Sequence, residues 1–121
     1  MGEERRRYAR HDIRVVAMCR RVTEHGIEPP AHGETVDLSF GGFGAVFDEY
    51  FDTGDVVDVD LVLSARVVTV RAIVVEVAPD GDRVCVHCCY TDPPPMVARA
   101  ITDFLRAEMP NIEQSATESG S

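Results

Sequence analysis

Apolar and polar residues alternate along much of this chain, and a two-residue period is typical of half-buried β-strands. The clearest case is the segment 57–63, in which every odd position is Val or Leu and Asp58 and Asp60 lie between them. Other segments rich in β-branched residues are 13–22, 66–77 and 83–90. These segments predict strands, and the turn residues 79–82 predict a hairpin between the last two.

A further strand is predicted just before a glycine-rich stretch. Its alternation predicts that Thr35, Asp37 and Ser39 share one face, while the apolar residues between them share the other. The segment Gly41–Gly44 follows directly and predicts a sharp local bend. Upstream, residues 23–33 contain two glycines and a proline pair, which are typical of a loop or a long hairpin connection.

An amphipathic helix is predicted after prolines 93–95, which end the sheet. Apolar residues recur at helical spacing from Met96 to Phe104, so we expect the helix to run to Glu108 and to end at Pro110. Six or seven short strands followed by one helix predict an all-β fold, an antiparallel β-barrel with the helix on its outside or across one end. Closure of the sheet removes the exposed valine-rich edges, and a two-sheet sandwich is the alternative.

The 121 residues are enough for one domain with a modest core. We expect a flexible arginine-rich arm at residues 1–12, the barrel with its C-terminal helix at 13–109 and a disordered polar tail at 110–121. The charged N-terminus does not resemble a signal peptide, and no apolar run reaches the ~18 residues of a membrane span. The chain is therefore expected in the cytoplasm, without membrane insertion.

Charge is distributed unevenly along the chain. The net charge is −9, yet seven of the twelve basic residues, all of them arginines, lie within the first 21 positions. A guanidinium group is a planar fork of donors that suits phosphate oxygens and the guanine edge. The acidic remainder opposes DNA wrapping, so a small phosphorylated ligand fits better than extended nucleic acid. Arg14, Arg20 and Arg21 fall in the first predicted strand and are expected to face water.

Two short motifs carry the candidate chemistry. Arg6 and Arg10 are four positions apart in the arm. Some thirty residues later, after one predicted strand and a loop, Asp37, Ser39 and Gly42 form an Asp-x-Ser-x-x-Gly sequence. Each motif alone also fits a structural explanation. Arginines in an arm are often simply solvated, and Asp and Ser beside glycine commonly cap a turn.

Together and in this order, the two motifs resemble those of the PilZ domain family, and the resemblance extends over residues 4 to about 108. It implies a six-stranded antiparallel barrel that binds the bacterial second messenger cyclic di-GMP. The implied ligand residues are Arg6, Arg10, Asp37, Ser39 and Gly42, with Arg5 and Arg7 as additional candidates. The sequence departs from the family pattern outside these motifs, where Cys85 replaces the usual glycine and Cys88 the usual aromatic residue.

The chemistry of guanine agrees with this implication. Guanine offers its O6 and N7 acceptors to Arg6 or Arg10, and it offers its N1–H and N2–H donors to Asp37. We expect Ser39 to add a hydroxyl contact and Gly42 to let the base approach the backbone. The other arginine is expected to meet phosphate.

The expected function is that of a receptor rather than an enzyme. Ligand binding would order the arm and change a surface recognised by a downstream protein, with motility, biofilm or polysaccharide production as the output. A ligand-independent adaptor of the same fold is the alternative, and an RNA-binding barrel is a third interpretation that the acidic body opposes. A monomer and a homodimer both remain open.

No catalytic group, cofactor or metal site is predicted. The four histidines do not suggest a Ser-His-Asp or Cys-His arrangement. Cys85, His87 and Cys89 share one face of a strand, but no fourth ligand is apparent.

Overall fold

The computed structural model of the protein describes residues 9–120, and for residue 27 and residues 109–120 it describes the backbone alone. Its elements are β1 Val16–Thr23, β2 Gly26–Ile27, β3 Ala31–Leu38, β4 Gly42–Phe47, β5 Val56–Leu63, β6 Arg66–Asp80, β7 Arg83–Tyr90 and the helix α1 Pro95–Gly120. β1, β3, β5, β6, β7 and α1 lie close to predicted segments, and β4 begins within the glycine-rich stretch where a bend is predicted. The connection 23–33 contains the two-residue strand β2, and β3 begins earlier than expected.

The sheet closes on itself. Its strands follow the order β2-β1-β3-β4-β7-β6-β5, all neighbours are antiparallel, and β1 also pairs with β5. In that closing pair, Ala17 lies opposite Leu61 and Cys19 lies opposite Val59. The structure therefore confirms the six-stranded antiparallel barrel with one C-terminal helix. The two-residue strand β2 forms a short hairpin with the end of β1. The sandwich alternative is wrong, because two separate sheets would lack the β1–β5 pairing.

Alternation along the strands builds the core of the barrel. The odd positions of β5 from Val57 to Leu63 are fully buried, as the sequence pattern predicts. Helix α1 adds Ala100, Ile101 and Leu105 to the same apolar cluster and packs against β6. The apolar stripe of the helix thus covers part of the barrel.

A β-bulge in β3 changes which residues of that strand face inward. The register with β4 shifts between Thr35 and Asp37, so Val36 is the extra residue. Thr35 and Leu38 are both fully buried as a result. The prediction that Thr35 shares a face with Asp37 and Ser39 is therefore wrong, because simple alternation does not hold across a bulge.

The buried Thr35 hydroxyl fixes the chain that leads into β1. It donates to the carbonyl oxygen of Ile13 at 2.7 Å and accepts from the backbone N–H of Val15 at 2.8 Å. Two residues before Ile13, His11 exchanges two backbone hydrogen bonds with Leu38, at 3.0 and 2.9 Å. Residues 11–15 thus run antiparallel to the end of β3. His11 is buried and belongs to the barrel, although the sequence placed it in the flexible arm.

The arginines of β1 are ion-paired rather than free in water. Arg20 contacts Asp60 at 3.1 Å. Arg21 contacts Asp55 at 3.0 Å and Glu28 at 2.8 Å, and its guanidinium lies 5.0 Å from the centre of the Phe51 ring. The prediction that Arg20 and Arg21 face water holds only in part, because each side chain is 27% exposed but is also ion-paired. Asp55 and Asp60 lie 34 and 40 residues from their arginines, so these two pairs are set by the closure of β5 on β1, whereas Glu28 is only seven residues from Arg21.

Helix α1 continues beyond its predicted end. It runs to Gly120, past both Glu108 and Pro110, so the backbone of 110–120 is helical where the sequence predicted a disordered tail. A proline removes one N–H donor from a helix and can kink it without ending it, and good helix formers such as Glu113 and Ala116 follow. No described helix is long and apolar enough to cross a membrane.

We predict that Thr35→Val destabilises the protein although it preserves the side-chain shape. The change leaves the Ile13 carbonyl and the Val15 N–H without their partner, which should lower the free energy of unfolding by about 1–3 kcal/mol. Urea unfolding followed by circular dichroism measures this. Thr91→Val, at an exposed position, is the matched control and should change stability little. Equal stabilities of the two variants would contradict the role of Thr35.

We also predict that the cysteines differ in reactivity according to their burial. Burial raises the pKa of Cys19 to about 12 and also raises the pKa of Cys88, so neither forms much thiolate in the folded protein. Cys89 is exposed. A disulfide reagent at about pH 8 should therefore label Cys89 first and reach Cys19 and Cys88 only after unfolding. Cys89→Ser should remove the fast phase, and fast labelling of Cys19 in native protein would contradict the fold.

Candidate functional site

Residue Arg10 lies beside the bulged end of β3. The two hydrogen bonds between His11 and Leu38 fix the backbone at the next position, so Arg10 follows the same path along the barrel. Its side chain is exposed, and Nη1 lies 3.5 Å from Nδ1 of His87 on β7. Arg10 is thus held near the barrel surface with most of its donors available. The predicted residues Arg5, Arg6 and Arg7 lie outside the described residues.

The carboxylate of Asp37 is oriented by the strand next to it. Oδ1 accepts a hydrogen bond from the backbone N–H of Gly44 at 2.9 Å, in the pair of residues that directly follows the bulge. Oδ2 lies 3.1 Å from the point that a Cβ of residue 44 would occupy. Asp37 therefore has one oxygen engaged by the backbone and a second oxygen placed above Gly44.

Ser39 has a structural role in the turn between β3 and β4. Its hydroxyl accepts from the N–H groups of Gly41 and Gly42, at 3.2 and 3.1 Å, and donates to the carbonyl of Gly42 at 3.1 Å. The residue is only 7% exposed. The N–H of Tyr90 donates to the Gly41 carbonyl at 3.0 Å and ties this turn to β7. Ser39 thus has the geometry of a turn cap, which is the structural explanation given above for this motif.

Gly42 is required by the contact between two strands. It pairs with Cys89 on β7, and a Cβ at this position would overlap the carbonyl oxygen of Cys88. Any larger residue would force β4 away from β7. The absence of a side chain therefore permits close approach of the neighbouring backbone, where the sequence predicted close approach of a base.

His87 is a site residue that the sequence did not identify. It lies opposite Gly44 in the β4–β7 pair, and its Cε1 and Nδ1 atoms are both 2.8 Å from the point that a Cβ of residue 44 would occupy. The imidazole thus lies over Gly44, close to Asp37 Oδ2 and to Arg10. A lone histidine in a strand has no motif that marks it. What identifies His87 is its alignment with Asp37 across Gly44. This alignment can be seen only when the registers of the β3–β4 and β4–β7 pairs are known.

Arg10, Asp37 and His87 form a polar cluster around Gly44 on three elements: the N-terminal segment, β3 and β7. The cluster offers an arginine fork, a carboxylate oxygen and an imidazole. Such groups suit recognition of a planar polar ligand through hydrogen bonds. Gly44 makes the cluster compact, because any side chain there would separate His87 from Asp37.

The cysteines beside this cluster do not form a metal site in the part of the chain that is described. Among residues 9–108, whose side chains are described apart from residue 27, no group of three or more His, Cys, Asp or Glu has the geometry to hold a metal ion. Cys85 Sγ lies 3.9 Å from His87 Nε2, which is a weak contact. Burial, followed by the charges of Asp80, Asp37 and Glu76, raises the pKa of Cys85. This thiol therefore acts as a neutral neighbour of the imidazole.

Comparison with solved structures shows the same fold at low sequence identity. The inhibitor of motility MotI/DgrA from Bacillus subtilis is 18% identical with a TM-score of 0.66, covering 87% of this chain and 51% of that chain. The PilZ domain of YcgR from Escherichia coli, solved with cyclic di-GMP, is 17% identical with a TM-score of 0.64, covering 90% of this chain and 98% of that one. MrkH from K. pneumonia, in complex with cyclic di-GMP, is 17% identical with a TM-score of 0.70, covering 91% and 54%.

The chain thus spans about half the length of MotI/DgrA and of MrkH, and nearly all of the isolated YcgR domain. Comparison with curated proteins shows no significant sequence match. The PilZ domain model matches residues 4–107, which include the barrel, the predicted arginine motif and the first half of helix α1. This match confirms the resemblance seen in the two motifs: the chain belongs to the PilZ domain family.

Proposed function

We propose that this chain is a non-catalytic, cytoplasmic receptor for cyclic di-GMP. The observation that carries the proposal is the placement of Arg10, one member of the arginine motif, next to the Asp-x-Ser-x-x-Gly segment of the barrel. The His11–Leu38 bridge brings Arg10 from the arm beside Asp37 and the Ser39–Gly42 turn. YcgR and MrkH, which share this fold, were solved with cyclic di-GMP, and this supports the choice of ligand.

The charges of the cluster match the groups of a cyclic dinucleotide. Arg10 is exposed and has donors free for a phosphate or for the O6 and N7 atoms of guanine. Asp37 is fixed through Oδ1, so Oδ2 is preorganised to accept from the N1–H and N2–H donors of guanine. Arg6 is proposed to supply the second fork, with Arg5 and Arg7 as further candidates.

Ser39 and Gly42 act indirectly in this proposal. The Ser39 hydroxyl is engaged within the turn and Gly42 is packed against β7, so neither needs to touch the ligand to be essential. Their task is to keep the end of β3 at the position where Asp37 lies against Gly44. Within this motif, Ser39 and Gly42 thus shape the turn, and Asp37 provides the contact with the ligand.

The proposed output is a change in the arm. Ligand phosphates would draw the arginines N-terminal to His11 onto the barrel, and the rearranged surface would be read by a downstream protein that controls motility, biofilm or polysaccharide production. Hydrogen exchange of residues 4–12 should slow on addition of cyclic di-GMP. The alternative function, a ligand-independent adaptor, requires no such change.

The receptor proposal predicts that Arg10→Ala weakens cyclic di-GMP binding by at least about ten-fold, because a hydrogen bond to a charged group contributes roughly 1.5–3 kcal/mol. Titration calorimetry on the full chain measures this. The Arg6→Ala and Arg10→Ala double variant should show no measurable heat of binding. Arg10→Lys should not restore affinity, because an ammonium group lacks the planar fork.

Arg66→Ala is the matched control, since Arg66 is exposed and lies at the turn between β5 and β6. It should bind like the wild type. Absence of binding by the wild type would overturn the receptor function and favour the adaptor. Equal losses in the Arg66 and Arg10 variants would show that only overall charge matters.

The proposed indirect role of Ser39 separates two measurements. Ser39→Ala should lower the free energy of unfolding by about 1–2 kcal/mol, because two glycine N–H groups lose their acceptor, and it should also weaken ligand binding. Arg10→Ala should weaken binding without lowering stability, since its side chain is exposed. Urea unfolding beside calorimetry compares the two. Weakened binding by Ser39→Ala with unchanged stability would instead indicate direct contact.

A further inference from the structure

The imidazole of His87 occupies a defined place between two proposed ligand residues. Nδ1 lies 3.5 Å from Arg10 Nη1, and the same atom shares with Asp37 Oδ2 the space directly above Gly44. Cross-strand register places Asp37 opposite Gly44 and Gly44 opposite His87, so the three residues form one row across β3, β4 and β7. Glu76 on β6 lies opposite His87 and continues that row.

The partners of the ring determine its hydrogen-bonding roles. A guanidinium only donates, so the Arg10 contact assigns Nδ1 of His87 as the acceptor and the ring proton to Nε2. Nε2 faces the Sγ atom of Cys85 at 3.9 Å. The Arg10 contact is at the long end of the range for a hydrogen bond and is exposed, so Arg10 can leave it at little cost. Its departure would leave Nδ1 as a free acceptor beside Asp37 Oδ2.

We propose that His87 is a further ligand-binding residue, whose Nδ1 joins Asp37 Oδ2 in accepting hydrogen bonds from the donor edge of one guanine after Arg10 has moved to the ligand. This inference rests on the proposed receptor function and specifies how the site selects its base. Gly44 is a positioning residue, because a methyl group there would stand 2.8 Å from the imidazole and 3.1 Å from the carboxylate.

A pair of adjacent acceptors discriminates between purines. Guanine presents N1–H and N2–H side by side, which matches two acceptors. Adenine presents an N1 acceptor at the corresponding edge, which would face a carboxylate oxygen or an imidazole nitrogen without a proton between them. Asp37 and His87 are partly buried, so an analogue that leaves both acceptors unpaired loses affinity. The cluster therefore favours cyclic di-GMP over cyclic di-AMP.

Calorimetry of the full chain with both cyclic dinucleotides tests this inference, and the wild type should bind cyclic di-AMP more weakly than cyclic di-GMP. His87→Phe keeps a ring over Gly44 but removes both nitrogens, and it should weaken cyclic di-GMP binding roughly five- to thirty-fold, the effect of one hydrogen bond. His87→Asn places an amide oxygen near the Nδ1 position and should stay within about three-fold of the wild type. Gly44→Ala keeps the imidazole but displaces it, and should weaken binding in the same direction. His32→Phe, an exposed histidine on β3, is the matched control and should have no effect.

The outcomes separate this inference from the receptor function. If the wild type binds and His87→Phe binds equally well, the role of His87 is overturned and the receptor function stands. If the wild type does not bind, both fail. Nitrogen-15 NMR of the imidazole in the complex gives a second measurement that does not depend on a variant: Nδ1 should be unprotonated and should shift on binding. A protonated or unshifted Nδ1 would overturn the proposal.

Discussion

The site depends on a short antiparallel pairing between the segment before β1 and the bulged end of β3. Two backbone hydrogen bonds join His11 to Leu38, and the Thr35 hydroxyl holds Ile13 and Val15. Without this pairing Arg10 would belong to a free arm, and its charge would act on the ligand only through averaged attraction. With it, the backbone next to Arg10 is fixed on the barrel, which confines the region that the guanidinium can reach and reduces the entropy lost when a ligand is bound.

The bulge at Val36 connects the core to the site. It turns Thr35 inward, where its hydroxyl can hold the N-terminal segment, and it leaves Asp37 directed toward Gly44 on the next strand. A regular strand could not place both side chains in this way, because residues two apart point to the same face. The bulge thus has two effects. It lets Thr35 bind the segment that leads into β1, and it directs the Asp37 carboxylate toward Gly44 on β4.

Much of the fold could be predicted from periodicity, because strand alternation and turn residues are local properties of the sequence. The odd positions of β5 and the turn at Gly81 are clear examples. The errors arise where distant residues decide the outcome. Arg20 and Arg21 meet Asp60 and Asp55 only when the barrel closes, and the inward rotation of Thr35 depends on a bulge that no local pattern marks.

The site shows the same division between local motifs and tertiary placement. The Asp-x-Ser-x-x-Gly motif identified Asp37, Ser39 and Gly42, but a motif cannot reveal that Ser39 and Gly42 shape a turn while Asp37 faces the surface. His87 is distant in sequence from both motifs and enters the cluster through two strand registers. Base selection by such a site would reside partly in a residue outside the motifs. Its contribution would depend on the registers of β3, β4 and β7, which neither motif encodes.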